Sequence, residues 1–190
     1  MEELPTASHG NLFAKDFDES SECWPTFVTL YEQAFPEYER VSLSTLLSIA
    51  RQPEGHLTGF FVDGAFCGFA HWVVTEHITY VCFLATMPGL RSQGIGSSIL
   101  AWFADVRPGL PVVVDTEQPD EAAPNNAQRL RRQAFYLRNG FRRTGWCIMD
   151  GGMTYDIFAT GDVFDPDWER EAVGRTFGPP EGPRVEPADG

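Results

Sequence analysis

The sequence has almost no lysine, no long apolar run and a shortage of positive charge. Lys15 is the only lysine among 14 basic residues, which face 27 acidic ones, so the formal net charge is −13. An acidic surface repels a polyanion, which argues against nucleic acid as a partner and favours a cationic substrate. No stretch approaches the roughly 20 apolar residues that a membrane helix needs, so we expect no membrane partner.

The four cysteines lack the spacing of a metal site. Cys23, Cys67, Cys82 and Cys147 stand far apart, and no Cys-x-x-Cys pair or Cys/His pattern suits zinc. We therefore expect free thiols, no bound metal and a reducing compartment. The first ten residues, MEELPTASHG, have neither the basic nor the apolar region of a signal peptide. These features predict a cytoplasmic protein.

Hydrophobic periodicity predicts a mixed α/β fold. The predicted helices cover 22–35, 43–50, 97–107 and 127–138, and the pattern is compatible with a short one over 168–175. The predicted strands cover 12–16, 57–62, 65–75, 78–86, 111–117, 141–149 and 153–159. The turn Asp63-Gly64 marks a hairpin, because both of its positions tolerate positive φ. This order predicts a mixed, mostly antiparallel central sheet with helices on both faces.

The composition changes after Gly161. We expect residues 1–161 to form one domain, and residues 162–190 to form an acidic extension rich in proline and glycine. From Gly178 onward this extension has the composition of a disordered tail.

A glycine-bearing loop after the predicted strand 78–86 is typical of a phosphate site. Arg91, Gly94 and Gly96 come directly before a predicted helix, whose N-terminus attracts an anion while glycine lets the backbone approach it. A dinucleotide fingerprint needs a third small residue where Ile99 stands. A nucleoside-triphosphate loop needs a lysine that is absent here. The phosphate ligand therefore belongs to another class.

Two segments resemble the GNAT superfamily of N-acetyltransferases. The segment LATMPGLRSQGIG, from Leu84 to Gly96, is similar to its acetyl-CoA signature, with an Arg/Gln-x-x-Gly-x-Gly/Ala core. The segment FYLRNGF, from Phe135 to Phe141, resembles its second signature. The resemblance implies a GNAT-like domain that uses acetyl-CoA as co-substrate. It also implies acetyl transfer to a primary amine of a small molecule or peptide, by direct attack in a ternary complex.

The resemblance also implies which residues bind the coenzyme. The strand before the loop hydrogen-bonds the pantetheine arm as an added strand would, and the loop amides, up to that of Ser98, hold the pyrophosphate. The implied coenzyme-binding residues are Leu84, Ala85, Thr86, Arg91, Ser92, Gln93, Gly94, Ile95, Gly96 and Ser97. Two positions depart from the family pattern. Ser92 stands where glycine is frequent, and Arg129 where many relatives have an asparagine. With Arg132, Arg129 is either a partner of the coenzyme 3′-phosphate or part of a solvated face.

The catalytic residues are implied in the same way. Tyr136 occupies the position that protonates the leaving thiolate or orients the sulfur. Asp115 and Glu117, two residues apart at a strand end, are candidates for the base that deprotonates the amine. Glu76 and a chain of water molecules are further candidates.

Other interpretations stay open. A non-catalytic acyl-CoA-binding or sensing module would keep the loop without the reaction. Strand register also brings His71 opposite Cys82, which would suit a cysteine-dependent transferase. The sequence leaves the oligomeric state open, a homodimer included.

Overall fold

The computed structural model describes residues 11–178 and 183–188. Within them the chain forms five α-helices and eight strands. The helices are α1 (Trp24–Ala34), α2 (Leu43–Ala50), α3 (Ile95–Val106), α4 (Asn126–Arg138) and α5 (Pro166–Phe177). The strands are β1 (Leu12–Asp16), β2 (Gly55–Val62), β3 (Ala65–Val74), β4 (Thr79–Thr86), β5 (Val112–Glu117), β6 (Arg142–Asp150), β7 (Met153–Ala159) and β8 (Arg184–Pro187). None of these helices is long and apolar enough to cross a bilayer.

The strands form one mostly antiparallel sheet in the order β1-β2-β3-β4-β5-β7-β6-β8. Strand β4 pairs with β5 in parallel, whereas β1–β2, β2–β3, β5–β7, β6–β7 and β6–β8 are antiparallel. Asp63 and Gly64 have φ of 50° and 80°, as the predicted hairpin turn between β2 and β3 requires. The predicted fold class is therefore confirmed.

Contacts between Cα atoms divide the chain into two compact units. The first comprises the residues up to Val73 together with Cys82–Gly109. Its core is aromatic: Phe27 meets Phe69 edge to face, with ring centroids 4.7 Å apart. Helices α1 and α2 contribute most of the buried side chains around these rings. The α2 helix begins where the sequence predicts, because the Ser42 hydroxyl caps it by accepting a hydrogen bond from the Thr45 amide at 3.1 Å.

The second unit comprises Val74–Val81 and the residues from Leu110 on. Its central strand β5 is buried from Val112 to Val114, as the run of valines predicts. Helix α4 ends at Arg138, and Gly140 follows it with a φ of 86°. This unit holds α4, α5 and the last four strands.

The C-terminal segment is more ordered than the sequence predicts. The prediction of disorder beyond Gly178 is wrong for residues 184–187, which form β8 and pair with β6. Only Val185 of this strand is buried, so its order comes from the ladder and has no local sequence signal. The predicted helix 168–175 is longer and runs over Pro166–Phe177. Residues 179–182 and 189–190 of the predicted tail lie outside the described residues.

Candidate functional site

The predicted phosphate loop leads into α3 through an exposed turn. Residues 91–94 are exposed, and Gly94 has a φ of 83°, a conformation that glycine adopts without strain. The first backbone hydrogen bond of α3 runs from the Ser98 amide to the Gly94 carbonyl at 2.9 Å. The N–H groups of Ile95, Gly96 and Ser97 therefore have no acceptor within the helix, and no side chain caps them. Such amides, at the positive end of a helix, form an anion site.

The start of α3 corrects the sequence prediction in two details. The helix begins at Ile95, two residues before the predicted start at Ser97, because the Gly94 turn already directs the chain into it. The sequence predicts that the Ser98 amide binds the pyrophosphate. In the structure this amide donates a hydrogen bond to the Gly94 carbonyl instead. Ser92 has a φ of 65°, a region that costs a residue with a Cβ about 1–2 kcal/mol. A glycine, frequent at this position in the family pattern, would avoid that cost.

The second half of β4 lies beyond the ladder that joins β4 to β5. That ladder pairs Thr79 with Val112, Tyr80 with Val113 and Val81 with Val114. It does not include Leu84, Ala85 or Thr86, which are half-buried. An extended ligand can pair with such a strand segment through main-chain hydrogen bonds.

Gly68 on β3 permits the close approach of this segment. A Cβ at Gly68 would lie 2.5 Å from the Ala85 carbonyl oxygen and 3.2 Å from the Thr86 Cα. The amide of Met87 donates to the Cys67 carbonyl at 2.9 Å just beyond. The sequence does not single out Gly68, because the close neighbour of a glycine inside a strand is visible only in three dimensions.

Asp115 is placed to exchange a proton. The Tyr80 hydroxyl donates a hydrogen bond to its Oδ1 at 2.6 Å. Burial raises the pKa of Asp115 to about 6, against the lowering effects of the Tyr80 hydrogen bond and the Arg132 charge. A carboxyl group with a pKa near neutrality can act as a general base.

Glu117 is bound by two guanidinium groups instead. Arg129 Nη2 lies 2.8 Å from Glu117 Oε1, and Arg132 Nη1 lies 3.6 Å from Oε2. The side chains of Glu117 and Arg129 are only 2% and 8% exposed. The amide of Asn125 lies 3.4 Å from both carboxylate oxygens. This pairing gives Glu117 a structural role and makes Asp115 the better candidate base.

Arg129 contradicts one of its two sequence expectations. It is buried, so its place on a solvated face is wrong. Besides Glu117, its guanidinium donates to the Gln118 carbonyl at 2.9 Å and to Asn125 Oδ1 at 3.0 Å. With these partners, the predicted contact with a 3′-phosphate finds no support in the geometry. Burial follows from the pairing of α4 with the end of β5, which the local sequence does not show.

Tyr136 lies on α4 among aromatic rings. Its ring centroid is 5.4 Å from that of Phe141 and 6.2 Å from that of Phe158. Burial raises the pKa of Tyr136 to about 12, the Arg132 charge lowers it and the Asp115 charge raises it. The phenol is therefore protonated at neutral pH and can donate a proton.

His71 is a neutral, buried side chain, and the four cysteines form no disulfide. Burial lowers the pKa of His71 to about 4, so its ring is neutral, and its Nε2 lies 3.3 Å from the Leu46 carbonyl oxygen. Within the described residues the four cysteines are free thiols; Cys67 and Cys147 are buried, and Cys23 and Cys82 are half-buried. Those residues also contain no cluster of three or more metal-binding side chains.

Comparison with known families decides the identity of the fold. Residues 54–143 match the family described as acetyltransferase (GNAT) domain. This segment of the chain is therefore similar to a GNAT acetyltransferase domain. The matched range includes the turn before α3, both carboxylates of β5 and Tyr136. The resemblance predicted from the two signatures is therefore confirmed.

Solved structures share the GNAT fold at low sequence identity. A Bacteroides thetaiotaomicron protein described as a GNAT-family acetyltransferase is 22% identical, with a TM-score of 0.65 over 84% of this chain and 92% of that one. The ribosomal-protein-S18-alanine N-acetyltransferase of Escherichia coli is 17% identical, with a TM-score of 0.56 over 81% and 96%. An aminoglycoside 6′-N-acetyltransferase solved with coenzyme A is 14% identical, with a TM-score of 0.59 over 82% and 99%. A comparison with curated proteins gave no match.

One further buried ionisable residue lies outside the matched GNAT segment. Glu169 on α5 is fully buried, and the Asp115 charge acts on its carboxyl group. The sequence analysis did not identify it. The sequence feature that indicates the burial of Glu169 is its position on the apolar stripe of α5, where Ala172 and Val173 are its buried neighbours.

Proposed function

We propose that this protein transfers the acetyl group of acetyl-CoA to a primary amine by direct attack in a ternary complex. The main support for this proposal is the exposed turn at Gly94, which leaves the first amides of α3 without acceptors within the helix. This turn lies in the segment that matches the GNAT domain. These amides and Arg91 bind the pyrophosphate. Leu84, Ala85 and Thr86 bind the pantetheine arm through their backbone.

The proposed reaction requires three proton transfers. The acceptor ammonium loses a proton to Asp115, so that its nitrogen has a free electron pair. That nitrogen bonds to the thioester carbonyl carbon, and the carbon–sulfur bond breaks. The departing thiolate takes a proton from Tyr136, whose raised pKa of about 12 keeps it protonated until then. The acylated nitrogen loses its second proton to the Tyr136 phenolate, which gives the neutral amide and restores the phenol.

The proposed acceptor is a cationic amine. The net charge of −13 favours a positively charged substrate over a neutral or anionic one. The structural relatives include an enzyme for an alanine of a ribosomal protein and one for an aminoglycoside, so both peptide and small-molecule amines are candidates. We further propose a cytoplasmic location, which suits the four free cysteines.

Calorimetry with acetyl-CoA tests coenzyme binding. Loss of one charge-assisted hydrogen bond in Arg91→Ala costs about 1.5–3 kcal/mol, so we expect about tenfold weaker binding or more. The matched control is Arg107→Ala, which removes an exposed arginine at the other end of α3 and leaves the affinity unchanged. Absence of binding heat in the unmodified protein would overturn the proposal.

Release of free thiol from acetyl-CoA tests catalysis. The acceptors are spermidine, kanamycin and a pentapeptide with an N-terminal alanine. We expect turnover with at least one of them and a loss of turnover in Tyr136→Phe. Binding without thiol release from any of the three, unaltered in Tyr136→Phe, identifies a sensing module instead of an enzyme.

A further inference from the structure

Helix α4 distributes its polar and apolar residues in the reverse of the usual way. In a surface helix the apolar stripe faces the core and the polar residues face water. The buried residues of α4 are instead Arg129, Gln133 and Tyr136. Leu130 and Leu137, by contrast, are 50% and 47% exposed. This helix therefore presents leucine to solvent and mainly polar side chains to the interior.

The exposed apolar residues of α4 lie in one line. Two alanines are exposed along with the two leucines, and we call the whole set the leucine stripe: Ala127, Leu130, Ala134 and Leu137. Their spacings of three, four and three residues are those of the apolar positions in a coiled-coil heptad. With 3.6 residues per turn, the leucine stripe lies about a third of a turn away from the buried residues of the helix. The pattern is that of a helix with a second, unoccupied packing face.

The interior contacts of α4 fix the position of the leucine stripe. The Arg129 guanidinium lies 2.8 Å from the Glu117 carboxylate, and the Gln133 side-chain amide donates to Asp156 Oδ2 at 3.0 Å. Both contacts join α4 to strands of its own compact unit. A helix that is already held in place loses little conformational entropy when a partner docks on its exposed side.

Positive charge lies along one edge of the leucine stripe. Helix α4 contains four arginines and no acidic residue, in a chain whose net charge is −13. Two of the arginines face Glu117, whereas Arg131 and Arg138 are exposed. Arg131 and Arg138 stand one heptad apart, each next to a leucine of the stripe. The Arg138 guanidinium lies 5.2 Å from the Phe135 ring centroid, a contact that restricts its movement.

We propose that the leucine stripe docks an acidic amphipathic helix of another protein. The apolar residues of that helix cover Leu130 and Leu137, and its carboxylates meet Arg131 and Arg138. A second copy of this chain fits less well, because α4 has no acidic residue and the same stripe of another copy brings no counter-charge. A nucleic acid pairs with the arginines but leaves the leucines in water. The proposal does not depend on acetyl transfer.

Fluorescence anisotropy with a synthetic helix tests this docking on the full chain. The probe is a fluorescein-labelled peptide of three heptads, with leucine at a and d, glutamate at e and g and alanine elsewhere. Because a chain of net charge −13 repels this peptide, saturable binding requires a local site. We expect Leu130→Gln and Leu137→Gln each to weaken binding at least tenfold, since central apolar contacts carry most of the affinity of an interface. The matched control Val163→Gln changes an exposed apolar residue outside α4 and leaves the affinity unchanged.

Charge variants and salt test the arginine edge of the leucine stripe. Arg131→Gln and Arg138→Gln should each weaken binding of the peptide about two- to fivefold at low salt, as expected for exposed ion pairs. Addition of salt should weaken binding to the unmodified protein in the same direction. The control Arg107→Gln removes an exposed arginine next to α3 and should bind as the unmodified protein does. Equal binding in both α4 variants would show that the stripe accepts any apolar helix, and overturns the acidic partner.

Other occupants of the leucine stripe give different results. A dimer in sedimentation velocity that Leu130→Gln converts to a monomer shows that a second copy covers the stripe, and overturns the proposal. Cosedimentation with phosphatidylglycerol vesicles that the same variant loses shows a membrane site, with the same consequence. Absence of saturable peptide binding to the unmodified protein also overturns the proposal. Urea denaturation should give Leu130→Gln the stability of the unmodified protein, because Leu130 is exposed, so a loss of binding is not a loss of folding.

Discussion

Two regions of this protein present polar groups in opposite ways. In the exposed turn before α3 the polar groups are backbone amides, which Gly94 and the helix start orient toward solvent. In the interior they are carboxyl side chains, and those of Glu117 on β5 and Glu169 on α5 are buried. Free amides in an open turn bond to water at little cost, whereas a buried carboxyl group needs a partner. Unpaired groups are therefore ordinary in the turn and exceptional in the interior.

The interior itself contains both paired and unpaired carboxyl groups. Glu117 meets Arg129 and Arg132, while both oxygens of Glu169 lack a hydrogen-bond partner among the described residues. The first arrangement stabilises the junction of β5 with α4. The second weakens the fold, because a buried carboxyl group without a partner costs free energy.

Removal of the Glu117 charge should have the largest effect. Glu117→Gln leaves the Arg129 guanidinium, whose side chain is 8% exposed, without its counter-charge. Breaking a buried ion pair at one end costs about 3–5 kcal/mol of unfolding free energy. Urea denaturation measures this loss of unfolding free energy. The control is Glu171→Gln, which breaks an exposed pair on α5 worth about 0.3–0.5 kcal/mol. Equal losses in the two variants would contradict the buried character of the Glu117 pair.

The variant Gly68→Ala tests whether stability and coenzyme binding depend on the close approach of β3 and β4. In Gly68→Ala the new Cβ meets the Ala85 carbonyl oxygen at 2.5 Å, so β4 must shift. We expect a loss of about 1–3 kcal/mol in stability and weaker acetyl-CoA binding, measured by urea denaturation and calorimetry. Gly89→Ala, whose Cβ has open space, is the control. Identical behaviour of both variants would show that the close approach of β3 and β4 does not matter.

This contrast also explains what the sequence could predict. The turn before α3 was predictable because glycine positions and a helix start are local features, and only its boundary was misplaced by two residues. The pairing of Glu117 with Arg129 joins a strand end to a separate helix, so the sequence suggested a solvated arginine. Strand β8 and the burial of Glu169 likewise come from tertiary packing. Asp115, Glu117 and Tyr136 were found through the family resemblance, and their catalytic roles stay predictions.

Replacement of Glu169 by an apolar residue should raise the unfolding free energy, whereas removal of the Glu117 charge should lower it. Glu169→Met removes the unpaired carboxyl group and should stabilise the protein by about 1–3 kcal/mol near neutral pH. Because the folded-state pKa is raised above the ordinary value of 4.5, the unfolded chain releases this proton first, and stability falls as pH rises. The decline continues up to the raised pKa of the folded state.

The stabilities of the unmodified protein and of Glu169→Met are best compared above about pH 6, where Asp115 has already titrated in both. There the stability gained in Glu169→Met should widen with pH until Glu169 ionises in the folded protein. Urea denaturation across neutral and alkaline pH measures the gap. A constant or shrinking gap would mean that Glu169 finds a partner in solution, and the contrast with Glu117 would disappear.

The smallest effect belongs to the turn before α3 and decides whether the Ser92 hydroxyl takes part in coenzyme binding. Ser92 has a φ of 65°, so Ser92→Gly relieves strain and should raise the unfolding free energy by about 0.4–1 kcal/mol after the flexibility of glycine is counted. Ser92→Ala keeps the strain and, like Ser92→Gly, lacks the hydroxyl. If the backbone amides and Arg91 hold the coenzyme without the Ser92 hydroxyl, calorimetry should give both variants an acetyl-CoA affinity close to that of the unmodified protein. A similar loss of affinity in both would show that the Ser92 hydroxyl donates to the coenzyme. The turn would then bind through a second side chain besides Arg91.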